Sequence, residues 1–172
     1  MNRYDLSEIK IYPLSIKDIN QVYAIEVETF PTPWSRKSFV SQLLGRRSNI
    51  YLVAKKNNEV IGYTGIVKKN KSGHITTIAV RSDFKRKKIG TLLLISLIRK
   101  AIKRGITRLF LEVRQSNIIA QKFYAKFNFF TAGKIRGYYS DSGEDALVMV
   151  VDDITNYEYK NIILKLERER KT

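Results

Sequence analysis

The sequence predicts a single α/β domain with a mixed central sheet flanked by helices, and three observations carry that prediction. Apolar periodicity persists from Ile9 to Val151, with no Pro-, Gly- or Ser-rich linker and no internal repeat. Strand-like and helix-like segments alternate in the second half, and a strand, helix and strand in succession usually form a right-handed parallel unit. The 172 residues, 44% of them hydrophobic, suffice for one sizeable core.

Ile9 to Tyr12 reads as a short first strand, and Asp18 to Thr29 as a helix with Ile19, Val22, Tyr23 and Ile25 on its apolar face. Pro31 and Pro33 break that helix, and Ser35 is an N-cap for a second one carrying Phe39, Leu43 and Leu44. Asn49 to Ala54 and Val60 to Val67 are β-rich runs joined by the turn-forming pair Asn57-Asn58, which makes them a hairpin. After a Lys71-Ser72-Gly73 turn, Gly73 to Val80 supplies a further strand. Leu93, Leu97, Ile98, Ala101 and Ile102 recur at helical spacing between Ile89 and Arg104, where Gly105 stops the helix. Leu109 to Val113 is a strand, Ile118 to Phe127 a short helix, and Phe130 to Ile135 and Ala146 to Val151 two last strands. The domain spans 1–152. Residues 153–172 form a polar tail with Leu164, Leu166 and alternating charges, read as a peripheral helix without chemistry.

Composition narrows the chemistry. Zero cysteines exclude disulfides, a thiol nucleophile and thiolate metal sites, and the single histidine, His74, leaves no cluster to hold a metal. The chain has no apolar run of the roughly 18 residues a membrane span needs, and Met1 to Asp5 lack the layout of a secretory signal, so the expected location is cytoplasmic. A formal charge of +16 favours phosphate-rich or acidic partners. A nucleic acid, a ribosomal surface and a nucleotide-bearing cofactor all fit it, as does a merely solvated basic surface.

One stretch concentrates that charge. Between the strand ending at Val80 and the helix starting at Ile89, the four basic residues Lys85, Arg86, Lys87 and Lys88 stand where a helix begins. A helix N-terminus offers unpaired N–H groups and partial positive charge, hence an anion site, and Gly90 lets a phosphate approach the backbone. In isolation such a run reads first as a solvated turn.

This loop resembles the acetyl-CoA pyrophosphate loop of the GNAT superfamily, whose usual pattern is Arg/Gln-x-x-Gly-x-Gly/Ala after an Ile-Ala-Val strand. Ile78, Ala79 and Val80 match the strand, Lys85 the first position and Gly90 the last glycine, while Lys88 replaces the first glycine. The resemblance implies the GNAT fold, with acetyl-CoA as donor on Lys85, Arg86, Lys87, Lys88, Ile89, Gly90 and Thr91. It also implies pantetheine amides pairing with the Ile78–Val80 edge as a further strand would.

Within that superfamily the chain resembles the ribosomal-protein alanine N-acetyltransferases and their archaeal and eukaryotic N-terminal relatives over Ile19 to Val150. The matching stretches are Phe30 to Ser35, Gly73 to Val80, Leu111 to Asn117, Phe123 to Phe129, and Gly137 to Tyr139 followed by Gly143 to Met149. Asn128 stands where the family usually has Gly, and Asn tolerates the left-handed conformation. By resemblance, Glu112 is the general base, Tyr124 the general acid that protonates the thiolate, and Asn117 a contact to the pantetheine arm. Trp34, Tyr138 and Tyr139 match positions around the mouth for the acceptor peptide. Each has a plainer alternative: an ion pair of Glu112 with Arg114 or a lysine, core packing for Tyr124 and the other aromatics, and a helix cap for Asn117. His74 is assigned only a strand position.

The implied acceptor is the α-amine of a protein N-terminus. An α-amine of pKa about 7.8 is neutral about one time in seven at pH 7, a lysine only about four times in 10,000, so one modest base suffices for the former. A GNAT enzyme acting on lysine or a small amine is the alternative. From another class, an RNA- or ribosome-binding module could use the same fold and basic surface without catalysis.

Overall fold

The computed structural model describes residues 8–45 and 48–171; the Met1–Asp5 segment considered above lies outside them. Seven strands form one sheet in the order β1-β2-β3-β4-β5-β7-β6, with β1 Lys10–Pro13, β2 Ile50–Lys56, β3 Glu59–Lys69, β4 Ser72–Val80, β5 Arg108–Arg114, β6 Phe130–Tyr139 and β7 Glu144–Val151. Every pairing is antiparallel except β4 with β5, which are joined by the helix α3, Ile89–Lys103. Left-handed Asn57 and Asn58, at φ 49° and 68°, close the β2–β3 hairpin as their sequence predicts. The next turn falls on Asn70 and Lys71, slightly earlier than the expected Lys71-Ser72-Gly73, because Asn70 takes the left-handed conformation at φ 55°.

Helices cover both faces. On one side, α1 (Ile19–Thr29) and α2 (Arg36–Leu44) bury Val22, Ile25 and Phe39 against Tyr51, Val53, Val60, Tyr63 and Ala79. Ser35 caps α2 by accepting the Ser38 N–H at 3.1 Å. On the other side α3 lays Leu94, Leu97, Ile98 and Ala101 on Leu52, Ile66, Leu109 and Leu111. Tyr124 and Phe127, from α4 (Ile118–Ala125) and the turn after it, join this cluster. So does the tail. Residues 157–171 form α5, whose Tyr159, Ile163 and Leu166 are core residues packed with α3, so the helix is less peripheral than its charges suggest. Those three positions are four and three residues apart, one stripe of a helix between charged neighbours. No helix of the described residues is long and apolar enough to cross a membrane.

The sheet is open in its middle. β4 and β5 pair only from Ser72–His74 to Arg108–Phe110, although β4 runs on to Val80 and β5 to Arg114. Both strands keep their outer partners: β4 pairs β3 as far as Val80, and β5 pairs β7 along Leu109–Arg114. A bulge starts the divergence. Gly65 faces Thr77 and Ile66 faces Ile75, so Thr76 is an extra residue on β4, and such an insertion bends its strand. The bulge also switches faces: Ile75 packs toward α3, whereas Ala79 packs toward α1 and α2. What results is a wedge between the carboxyl halves of two parallel strands.

Gly65, beside the bulge, lies under the Tyr51 ring, and a Cβ there would stand 2.2 Å from a ring carbon. Gly65→Ala is therefore expected to cost about 1–3 kcal/mol by overpacking. Gly133→Ala, with no atom within 4 Å of the added Cβ, is expected to be near neutral. Urea or thermal melts of the two variants check this, and equal stabilities would refute the close approach.

Candidate active site

At the closed end of the wedge, His74 Nε2 and Glu112 Oε2 lie 2.5 Å apart, joining β4 to β5. Strand alternation puts them together. Leu111 and Val113 turn to the α3 core, so Glu112 projects from the opposite face, as does His74 between Gly73 and Ile75. His74 is in register with Phe110 and stacks on its ring, with centroids 4.6 Å apart and planes within 3°. Thus the histidine assigned only a strand position is the partner of the predicted base. Finding it from sequence required the parallel register, since only that brings the two residues side by side.

Arg114 does not pair with Glu112. Its guanidinium reaches Asp141 at 2.7 Å and Glu144 at 3.3 Å, donates to Ser142 Oγ, and lies 3.9 Å over the Tyr139 ring. It thereby clamps the β6–β7 turn to the end of β5. Arg114 holds the Asp141 carboxyl below the usual range, and Ser116 followed by Arg114 does the same for Glu144. The clamp brings Tyr138 and Tyr139, in edge contact at 5.1 Å, into the field of Glu112. Burial, with a smaller push from Glu112, raises both phenols, Tyr139 to about 12 even though Arg114 lowers it. Both stay protonated donors at neutral pH.

Trp34 belongs to the α1–α2 side. Its backbone N–H donates to Glu26 Oε1 at 2.9 Å, and its ring tilts against Phe39 at 5.4 Å. The Glu26 carboxyl is buried and also accepts the Tyr63 hydroxyl; burial raises it, and the Trp34 N–H partly offsets this. This buried acceptor pins the segment after α1, a role that no motif signalled.

Tyr124 lies on the α3 side, opposite Glu112. It packs against Phe123 at 5.3 Å and Phe129 at 5.7 Å, is 7% exposed, and its hydroxyl forms no hydrogen bond with the described residues. Burial, with a smaller effect of Tyr139, keeps the phenol well above its ordinary value and therefore protonated. Asn117 does cap α4, with Oδ1 accepting the Ala120 N–H at 3.0 Å, and Asn128 is left-handed at φ 61°.

The basic loop follows β4. Beyond the 3-10 turn Ser82–Phe84, Lys85 is extended while Arg86 and Lys88 are both left-handed at φ 59°. Residues of alternating hand favour the concave array of N–H groups that binds anions, here leading into the first turn of α3. The Lys88 side chain leaves the loop: Nζ donates to the Glu169 carbonyl of α5 at 2.5 Å. Lys87 Nζ donates to the Asp83 carbonyl at 2.6 Å, and Lys85 and Arg86 are exposed. Ala79 and Ile89 are core side chains, so only their backbone could meet a ligand; Ile78, Val80, Gly90 and Thr91 are part-buried. A Cβ on Gly90 would point toward Phe123 at 3.6 Å and Val80 at 4.0 Å, so the loop, the end of β4 and α4 converge there.

Known proteins resemble this chain over most of its length. The acetyltransferase (GNAT) family model matches residues 19–129. The chain is 38% identical over 138 residues to a putative [ribosomal protein bS18]-alanine N-acetyltransferase of Bacillus subtilis (strain 168), covering 80% of this chain and 91% of that one. It is 34% identical over 143 residues to the [ribosomal protein bS18]-alanine N-acetyltransferase of Escherichia coli (strain K12), covering 82% and 95%. The crystal structure of the ribosomal-protein-S18-alanine N-acetyltransferase from Escherichia coli superposes with a TM-score of 0.78 at 30% identity, over 87% of this chain and 97% of that one.

The clamp has a measurable consequence. Arg114→Met is expected to leave the melting temperature nearly unchanged, since β6 and β7 still pair, while amide hydrogen exchange across 139–145 accelerates. Unchanged exchange there would mean that the strand ladder alone orders the hairpin.

Proposed function

The chain belongs to the acetyltransferase (GNAT) family, and from that premise we propose that it acetylates the N-terminal alanine of a ribosomal protein, the bS18 homologue. The donor is acetyl-CoA, and the reaction is acyl transfer. The acceptor is read from the activity named for the relatives and from the chemistry of the site. A ribosomal acceptor puts the reaction in the cytoplasm, and the basic surface is available for RNA contact without being required for catalysis.

The observation that carries this reading is the wedge, with a carboxylate on one face and a protonated phenol on the other. In it, the loop 85–91 and the first turn of α3 hold the pyrophosphate, the free edge of Ile78–Val80 pairs with the pantetheine amides, and the Asn117 side-chain amide adds a contact. The peptide N-terminus enters on the Glu112 face, between Trp34 and the Tyr138–Tyr139 pair. Glu112 takes a proton from the amine, directly or through water. The nitrogen then attacks the thioester carbonyl carbon. Collapse of the tetrahedral adduct breaks the C–S bond, and Tyr124 gives its proton to the departing sulfur. His74 acts through Glu112: a ring N–H donated to the carboxylate fixes its orientation.

Burial bears on this last proton transfer. A phenol of ordinary pKa about 10 nearly matches a thiol of about 8.5, and the Tyr124 phenol lies higher. A thiolate released in the same apolar surroundings is raised by the same desolvation, so the transfer depends on the difference between the two.

Glu112→Gln is expected to lower kcat about 10²- to 10⁴-fold on an Ala-initiated peptide, with partial recovery at high pH where the amine is already neutral. Tyr124→Phe is expected to lower kcat in a similar range, roughly 10²-fold or more, while the melting temperature hardly moves, because the lost hydroxyl bonds no described residue. Normal turnover in either variant removes that residue from the mechanism. Faster acetylation of an internal lysine in a blocked peptide than of a free N-terminal alanine would refute the acceptor.

A further inference from the structure

Lys88 is the one position of the phosphate loop where this chain departs from the family's glycine, and its side chain is committed elsewhere. It occupies the N-cap of α3 in a left-handed conformation, φ 59° and ψ 14°, and its ammonium meets the Glu169 carbonyl 81 residues away. For a residue with a side chain that conformation is disfavoured roughly tenfold, a penalty that glycine escapes. The acceptor is well chosen electrostatically. Glu169 lies in the last turn of α5, where the helix dipole concentrates negative charge. α5 is itself fixed, through Tyr159, Ile163 and Leu166 in the core and through Glu167, which pairs with Arg99 of α3 at 2.7 Å.

We propose that the C-terminal turn of α5 is part of the donor site: by holding the Lys88 ammonium, it keeps the loop in its anion-binding conformation and so sets the affinity for acetyl-CoA. Lys88 is a positioning residue here. It offers the phosphates its backbone, and its side chain is a strut to α5. Without the strut, the penalty at Lys88 drives the loop out of the left-handed conformation. Apparent affinity then falls with the competent fraction. This rests on the reading that the 85–91 loop takes the pyrophosphate.

Glycine and methionine at this position separate the strut from its alternatives. Lys88→Met keeps the conformational penalty and loses the strut, so calorimetric titration of the full-length protein with coenzyme A should show binding weakened by about three- to tenfold. KM for acetyl-CoA should rise in parallel, with kcat and the KM of the acceptor peptide unchanged. Lys88→Gly loses both, and should bind within about twofold of the parent. Lys88→Arg, which can still reach the carbonyl, should bind like the parent. Glu169→Pro, which unwinds the last turn of α5, should weaken binding in the parent and have no effect in the Lys88→Gly background. Equal losses in Lys88→Met and Lys88→Gly would mean that the ammonium contacts a phosphate directly, and would overturn the proposal. Parent-like binding in Lys88→Met would overturn it as well. Gly90→Asp tests the underlying reading separately: parent-like binding there removes the phosphates from the loop and the strut's purpose with them, whereas strong loss beside an indifferent Lys88→Met refutes the strut alone.

Discussion

Pairing between β4 and β5 stops at His74 and Phe110, and most of the functional architecture depends on that interruption. Backbone N–H and C=O groups in the middle of a sheet ordinarily find partners in the neighbouring strand, and leaving them without any is costly. Here the Thr76 bulge turns β4 aside while β3 and β7 keep the two strands anchored on their outer edges. The open edge is thus held in place by the ladders around it. It suits a ligand that brings amides of its own, and it opens in a sheet that carries Glu112 on one face and Tyr124 on the other.

Electrostatics follows from where the chain is dry. On the Glu112 face, Arg114 draws in the Asp141 and Glu144 carboxylates and lets Tyr138 and Tyr139 approach Glu112 as protonated phenols. Burial, here among Phe123 and Phe129, keeps the Tyr124 phenol protonated as well. Net positive charge is placed elsewhere, on the exposed Lys85 and Arg86. The Glu112 carboxylate, the Tyr124 phenol and the loop cations therefore lie apart, and none neutralises another.

Local signals made much of this legible. Asn57 with Asn58, Asn128 and Gly105 all adopt the left-handed conformations their residue types favour, and the strand and helix order follows from periodicity. The roles proposed for Glu112 and Tyr124 come from their motifs. What stayed hidden depends on distant pairs. The His74–Glu112 contact needs the register of two parallel strands that are joined through α3, and nothing local fixes that register. The stripe of Tyr159, Ile163 and Leu166 on α5 is diluted by charge and makes sense only against α3. Lys88 in a glycine's conformation contradicts its own propensity; the reason lies in Glu169, at the far end of the sequence.

The central claim is that the wedge between β4 and β5 is where the donor lies. Amide hydrogen exchange followed with and without coenzyme A measures this directly, since the N–H groups along 75–80 that face the wedge have no strand partner on that side. Binding is predicted to slow exchange in 75–80 and in the 85–91 loop, while the outer strand β6 remains unaffected. Coenzyme A binding that leaves 75–80 unprotected, or that protects only segments outside the wedge and the loop, would contradict the account.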